Sequence, residues 1–429
     1  MYTQNPIAYI GVDDIEAPLF ESQFPLPHGM AYNSYVLIDD KIAIMDTMEA
    51  QHCSEWFANL ETALAGRNPD YLIVHHMEPD HSAAVAQCME RYPHLTIVAS
   101  KLAFDMMEKY FGDGFEERRI LVAKDTELDL GHYHLQFFAT PMVHWPEVIM
   151  SFIPELGALF SADAFGKFGA NTQPSDWLFE ARRYYFAIVA RFGANVQTAL
   201  KKLSPLDIKT IYPLHGFVLD NPAPQMSAYQ TWSSYEPEKS GVTIAFTSVY
   251  GHTRRAAELL EKTLQDEGIE VALYDLARCD MTEAITSAFM YDRLVIASTT
   301  YNMDVFPVMR DFLERLVERN YTKRLIGIIQ NGSWAPVAGK VMKSILEPAK
   351  NLTYTNTLLP LKQRSMINHA LSSSRLLKSL QGVQKQRFEH VKGKYGRIFV
   401  YVLQCIQGVF FSCIAASIHY ITKDEEELL

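Results

Sequence analysis

Cysteine is scarce and scattered along this chain. Five occur in 429 residues, at Cys53, Cys88, Cys279, Cys405 and Cys413, with no Cys-x-x-Cys pair. That excludes a disulfide framework and a four-thiolate iron site, and it points to a reducing compartment. No leader is expected either. The N-terminal MYTQNPIAYIGVDD has no basic stretch followed by an apolar run, so no secretory signal is expected and the cytoplasm is the expected location. Neither common nucleotide loop is present, since the chain has no Gly-Lys-Ser or Gly-Lys-Thr and no Rossmann fingerprint. Positive charge is in deficit. The 39 Lys and Arg against 50 Asp and Glu give a formal charge of -11, which argues against a broad nucleic-acid footprint and leaves any macromolecular partner to a local patch.

What is present is apolar residue enough for two cores: 48% of the chain is hydrophobic, and a chain of this length divides naturally into domains of about 150–250 residues. Residues 1–235 carry short strand-like runs at 35–38, 42–45, 71–74 and 95–99, separated by polar turns, and read as a mixed α/β unit with antiparallel character. The polar segment 234–241, with Pro237 and Gly241, reads as a linker. From there strand and helix alternate: strands at 242–246, 270–274, 293–297, 325–329 and 352–358, and helices at 253–267, near Glu283, at 308–317 and at 337–346. That rhythm predicts a doubly wound parallel sheet over 241–382.

The densest chemistry lies in HHMEPDHSA, where an apolar run leads into His76, Glu78, Asp80 and His81, four possible metal ligands within six residues. An extended 76–80 would turn alternate side chains to one side, whereas Pro79 favours a loop at the strand end; either converges them. His144, Asp163 and His215 each stand at or just beyond another apolar run. A lone buried histidine such as His144 is often a satisfied core group. Ionisable groups at the ends of buried strands are nevertheless costly unless paired or metal-bound, and three carboxylates with four imidazoles suit two ions sharing one carboxylate. The absence of cysteine from the set favours iron, manganese or a similar ion over a soft thiolate site, without excluding zinc. Neighbouring His75 faces the other way and is read as structural.

In the second half, the turn after 242–246 carries Thr247, Ser248, Val249, Tyr250, Gly251, His252 and Thr253 and leads into a helix. Hydroxyls, a glycine and free amides at a helix start make a cradle for an anion; the bland reading is a well-capped helix. Two later loops, with Ser298, Thr299, Thr300, Tyr301 and Asn302 and with Asn331, Gly332, Ser333 and Trp334, should emerge at the same carboxyl edge of the sheet. Tyr301 and Trp334 offer aromatic surface for a flat ring system.

These segments resemble the flavodiiron proteins, also called A-type flavoproteins. The resemblance implies a metallo-β-lactamase-like αββα domain followed by a flavodoxin-like domain, two iron ions per chain and one FMN with its phosphate in the 247–253 loop. It implies further that His76, Glu78 and His144 hold one iron, that Asp80, His81 and His215 hold the other, and that Asp163 bridges them. Hydrolases of the same superfamily show HxHxDH, with a histidine where this chain has Glu78; the extra carboxylate marks the diiron branch. The implied activity is reduction of O2 to water or of NO to N2O, with electrons from rubredoxin or an NADH-linked flavin reductase, in a head-to-tail homodimer or dimer of dimers. Two other readings stand beside it: a metal-dependent hydrolase fused to a flavodoxin-like module, and a non-enzymatic electron carrier. Residues 383–429 fall outside the resemblance. Their run 398–418 contains no charged residue and reads as a packing or association element, or alternatively as a membrane anchor.

Overall fold

A computed structural model describes residues 6–361, with side chains to residue 355. The expected end of the second unit at 382, the 383–429 segment and the 398–418 run lie outside the described residues. No helix among the described residues is long and apolar enough to cross a membrane.

The first half is built on two six-stranded mixed sheets. One runs in the order Ile7–Tyr9, Tyr35–Leu37, Ala43–Met45, Tyr71–Ile73, Thr96–Ser100, Arg119–Val122; the other in the order Glu127–Asp129, His134–Ala139, Ile149–Ile153, Ala158–Phe160, Thr210–Tyr212, Leu219–Asp220. The alternation of side chains along each strand explains how they pack. Tyr35, Leu37, Met45 and Ile73 meet Phe137, Ile149, Ile153 and Phe160 of the other sheet in one dry layer. Their neighbours Val36, Ile44 and Leu72 turn the other way, into a cluster with Trp56, Leu60 and Phe104 of the helices Cys53–Leu64 and Lys101–Phe111.

The second half is a five-stranded parallel sheet in the order Val271–Asp275, Lys239–Phe246, Tyr291–Tyr301, Leu325–Asn331, Thr353–Leu361, with a short antiparallel strand, Asp304–Val305, paired to the third. Strands buried on both faces are apolar without alternation, as in LVIA of 294–297. Helix His252–Asp266 covers one face through Ala256, Ala257, Leu260 and Leu264. Helices Met281–Met290, Pro307–Glu318 and Ala338–Ile345 contribute Ala288, Phe312 and Met342 to the cluster on the other. The mixed and doubly wound architectures are those expected.

One local reading changes. The segment 234–241 is not a free linker: strand Lys239–Phe246 begins inside it, Gly241 N donates to Asp292, and a Cβ at Gly241 would lie 2.2 Å from the Tyr291 ring, so the glycine serves close packing. Just before it, Glu238 is gripped by Arg182 through two hydrogen bonds of 2.6 and 2.7 Å. The short helix expected near Glu283 is Met281–Met290, which Asp280 caps by accepting from Thr282 N at 2.8 Å.

The two halves share a core. Phe186 stacks on Phe289 at 4.3 Å, and Arg319 Nε donates to the Phe186 carbonyl at 2.6 Å. Buried Arg183 donates to Glu180 at 2.6 Å within its own helix, to the Pro25 carbonyl at 3.0 Å, and to Asp280 at 2.8 Å across the boundary. Removing one partner of a buried pair leaves an uncompensated charge, typically at a cost of about 3–5 kcal/mol. Arg183→Met is therefore expected to lower stability to chemical denaturation by about that amount, and Arg183→Met/Glu180→Gln to recover part of it.

Candidate metal and flavin sites

Strand Tyr71–Ile73 delivers the first ligand candidates to the sheet edge. Beyond it the chain is neither extended nor an open loop: Glu78 is the N-cap of the one-turn helix Pro79–Ser82, whose first position is the proline. That turn places Asp80 and His81 on one side while His76 and Glu78 address the other. Asp163 follows strand Ala158–Phe160, between two residues with positive φ, Ala162 at 51° and Phe165 at 67°. Such backbone is costly for residues with side chains and persists where surrounding structure enforces it. His215 follows strand Thr210–Tyr212, and His144 stands in the loop between strands His134–Ala139 and Ile149–Ile153.

All seven candidates converge, in two groups capable of holding an ion: His76, Glu78, His144 and Asp163, and Asp80, His81 and His215. Asp163 links them. Its Oδ2 lies 2.9 Å from His144 Nε2 and 3.3 Å from His76 Nε2, whereas its Oδ1 lies 3.6 Å from His81 Nε2 and 3.7 Å from His215 Nε2. Glu78 Oε2 closes the first group at 3.1 Å from His144 and 3.3 Å from His76; Asp80 Oδ2 closes the second at 3.2 Å from His81 and 3.4 Å from His215.

The donor set fits metal better than it fits itself. Both carboxylate oxygens of Asp80 and of Asp163 are buried and receive no well-directed hydrogen bond, and His81 Nε2 and His215 Nε2 face each other at 3.0 Å. His76 Nδ1 meets Glu147 Oε1 at 2.7 Å, and His215 Nδ1 meets the Ala31 carbonyl at 2.8 Å. A proton on each Nδ1 leaves the Nε2 lone pair aimed inward, as ligation requires.

Electrostatics say the same. Burial works against charge on Asp163, but His76 and His144 overcome it and hold the carboxyl well below the ordinary carboxylate range. Burial likewise pulls His144 down, yet the Asp163 and Glu78 carboxylates, 2.9 and 3.1 Å from its Nε2, push it up to about 9. Thus, in metal-free protein, protons occupy ground that a cation would take. At the mouth, burial and the Glu78 charge push Glu21 up to about 7, so a carboxyl there carries a proton near neutral pH. Glu21 lines both clefts that open on the cluster: one of about 610 Å³ that reaches Glu78 and Asp80, and one of about 430 Å³ that reaches His144.

His75, read as structural, bonds Asp46 at 2.6 Å and Ser151 at 2.8 Å, away from the cluster. Sequence reasoning missed Glu147, Asp46 and Tyr184. Glu147, an acid inside the apolar WPEVIM three residues after His144, was a usable signal. Tyr184 gave none: its buried hydroxyl has no hydrogen-bond partner, burial and the charges of Asp163, Glu78 and Asp80 raise its pKa, and its ring lies 5.5 Å from that of His215.

The candidate flavin loops share the carboxyl edge of the parallel sheet. Thr247 Oγ1 and Ser298 Oγ bond at 2.9 Å, Asn331 Nδ2 donates to Thr253 Oγ1 at 3.2 Å, and Thr300 Oγ1 accepts from Val337 N at 2.9 Å, so the three loops are tied together. Ser248 Oγ is buried without a partner, and helix His252–Asp266 starts at Gly251 with no side-chain cap. A hydroxyl and free amides at one place suit a phosphate. Tyr250 and Trp334 stand out at 89% and 69% exposure, with Val249, Tyr301 and Asn302 also exposed; Thr299 and Gly332 are half-buried, and His252 and Ser333 lie at the surface. Only bound ligand or a partner surface would cover so much aromatic area.

A family model described as "ODP family beta lactamase" matches residues 30–216, and one described as "Flavodoxin domain" matches residues 243–368. The chain is similar to a nitric oxide reductase of Moorella thermoacetica, 29% identical over 356 residues, spanning 80% of this chain and 88% of the relative. It is similar to an anaerobic nitric oxide reductase flavorubredoxin of Aliivibrio salmonicida, 26% identical over 349 residues, spanning 78% of this chain and 69% of the relative. In fold it resembles the rubredoxin oxygen:oxidoreductase of Desulfovibrio gigas, with a TM-score of 0.81 at 22% identity, covering 89% of this chain and 98% of that one.

Three outcomes follow from this geometry. Asp163→Ala is expected to abolish binding of both ions, and His81→Ala at most one, as read by metal analysis of anaerobically purified protein. Metal-free protein should release protons on binding, because His144 must lose the proton it holds up to about 9; affinity should therefore rise from pH 6 to pH 9 and then level off. Gly251→Val should lower flavin content without changing metal content: φ there is 84°, and although nothing lies within 4 Å of an added Cβ, a branched side chain strains that backbone.

Proposed function

We propose that the chain is a flavodiiron protein and that it reduces O2 to water, NO to N2O, or both, using electrons from an external carrier. Residues 1–235 would form the metal unit and residues 241–382 the flavin unit. The observation that carries the reading is the split of Asp163, one oxygen toward each histidine group, which is the geometry of a bridging ligand. Two iron ions at these groups, together with an FMN in the 247–253, 298–302 and 331–334 loops, would supply the electrons and open positions that small diatomic substrates need.

The chain's own residues have the remaining tasks. Asp163 would fix the spacing of the two ions, and Glu78 and Asp80 would balance their charge from opposite sides. Glu147 and the Ala31 carbonyl hold His76 and His215 in the ligating tautomer. Tyr184 keeps its proton, and its unpartnered hydroxyl is free to donate a hydrogen bond to an oxygen in the pocket. Phe20, Phe168 and Tyr32 pack around the His215 side and limit water there. Both reactions consume protons, and the two clefts at Glu21 connect the cluster to solvent.

The exposed aromatics around the flavin loops support a second copy meeting this face head to tail. The donor would be rubredoxin or a flavin reductase, met in the cytoplasm. A hydrolase reading has less support, because Glu78 stands where hydrolases of the superfamily carry histidine.

Protein purified without oxygen should contain two irons and one FMN per chain. It should consume O2 or NO catalytically with NADH, a reductase and rubredoxin, and should not oxidise NADH alone. Two zinc ions with no iron would return the hydrolase. Flavin reoxidised once by O2 without turnover would leave only a carrier.

A further inference from the structure

The two halves of the cluster are not backed alike. Behind His76 stands Glu147, 2% exposed. One of its oxygens, Oε1, accepts from His76 Nδ1 at 2.7 Å and from Met77 N at 2.9 Å, while Oε2 accepts from nothing. Its one ion-pair partner among the described residues is that imidazole. Among the described residues, the imidazoles of the other half have no carboxylate at Nδ1. His215 Nδ1 donates to the neutral Ala31 carbonyl at 2.8 Å, and His81 Nδ1, equally buried, has no partner at all.

We propose that the two metal positions load in a fixed order, the His76–Glu78–His144 position first, and that Glu147 sets this order as a positioning residue acting through His76. The inference rests on the two-metal reading above. A carboxylate on Nδ1 fixes the tautomer and makes the ring a stronger donor at Nε2, and loss of such an outer partner typically weakens metal binding about 10–100-fold. A buried anion with a single donor-rich side is unfavourable until a cation arrives on the far side of the ring; the first ion relieves that. At the second position His215 gains only a dipole. His81 must choose its tautomer unaided, so its nitrogen is inward for only part of the time. The shared Asp163 then belongs first to His144 and His76, to which its Oδ2 is already nearer, 2.9 and 3.3 Å against 3.6 and 3.7 Å for Oδ1 to the other pair.

The test is an anaerobic titration of metal-free, FMN-loaded protein with Fe2+ and, separately, with Co2+, whose absorption reports coordination at each step. Wild type should bind two ions in two resolved steps. Glu147→Gln is the informative variant, because the amide oxygen can keep both hydrogen bonds that Oε1 now makes while the charge is lost; the first step should weaken about 10–100-fold and the second should move little. His81→Ala should leave the first step in place and weaken the second. FMN content and circular dichroism report whether each variant is folded. Should Glu147→Gln not fold, removal of metal from wild type by a chelator decides: two phases of loss support the order, and one phase overturns it. Equal affinities in wild type, or a Glu147→Gln first step that does not move, overturn the proposal while leaving the two-metal reading intact. Fewer than two ions bound by wild type would instead overturn that reading.

Discussion

Three carboxylates and four imidazoles drawn into one largely buried pocket are cut off from most of their hydration and compete for the same few protons. Most of the first half of the chain is arranged to tolerate this. Each ligand candidate leaves a strand buried in one of two facing sheets, so the backbone positions are fixed by a dry layer of side chains such as Leu37, Ile73, Ile149 and Phe160. The groups themselves sit at the sheet edge, where chain direction is free to change. Positive φ at Ala162 and Phe165 gives the sharp turns that aim Asp163 inward. Without a cation, the pocket relies on raised histidine and lowered carboxylate pKa values to share charge.

A second constraint follows from the joint between the halves. Arg183 and Arg319 bind carbonyls and carboxylates from both sides, and Phe186 stacks on Phe289 in a core common to both. A buried, hydrogen-bonded joint of this kind favours one relative orientation of the halves over many. Helix Pro307–Glu318 starts shortly after the loop that contains Tyr301, a candidate flavin loop, and its Arg315 and Arg319 line the cleft beside His144, so that it runs between the two candidate sites. A rise of about 1.5 Å per residue makes that helix roughly 18 Å long. The same buried joint opposes a swing of one half against the other.

Much of this was legible in the sequence because ligand candidates follow apolar runs, and both the runs and the residue types are local features. His76, Glu78, Asp80 and His81 announce themselves within six residues. The strand and helix alternation after residue 241 is equally local. Glu147 is another matter: its role depends on His76, 71 residues earlier, and no spacing rule joins them. Tyr184 is silent for the same reason. The 234–241 segment misled because polarity, Pro and Gly usually mark a linker, whereas here Gly241 is required by the Tyr291 ring and Lys239 already pairs with Tyr291 in the sheet. The shared core was invisible as well, since contacts such as Phe186 with Phe289 join positions more than a hundred residues apart.

The choice of Glu78 over a histidine is best understood as charge balance. Glu78, Asp80 and Asp163 bring three negative charges, which would leave one net positive charge on a pair of divalent ions and three on a trivalent pair. A histidine at position 78 would raise each total by one. In a pocket where most of the donors are nearly inaccessible to water, an uncompensated charge is expensive, and the difference grows as the ions are oxidised. A hydrolase keeps its ions divalent and gains little from a third carboxylate, whereas a centre that must pass through the higher state gains most from it. Glu147, one imidazole further out, adds a fourth negative charge without taking a coordination position. The carboxylates of this pocket are therefore graded by distance from the two groups that would hold ions: Asp163 between the groups, Glu78 and Asp80 at either side, and Glu147 behind one side alone, which makes the pocket electrically lopsided.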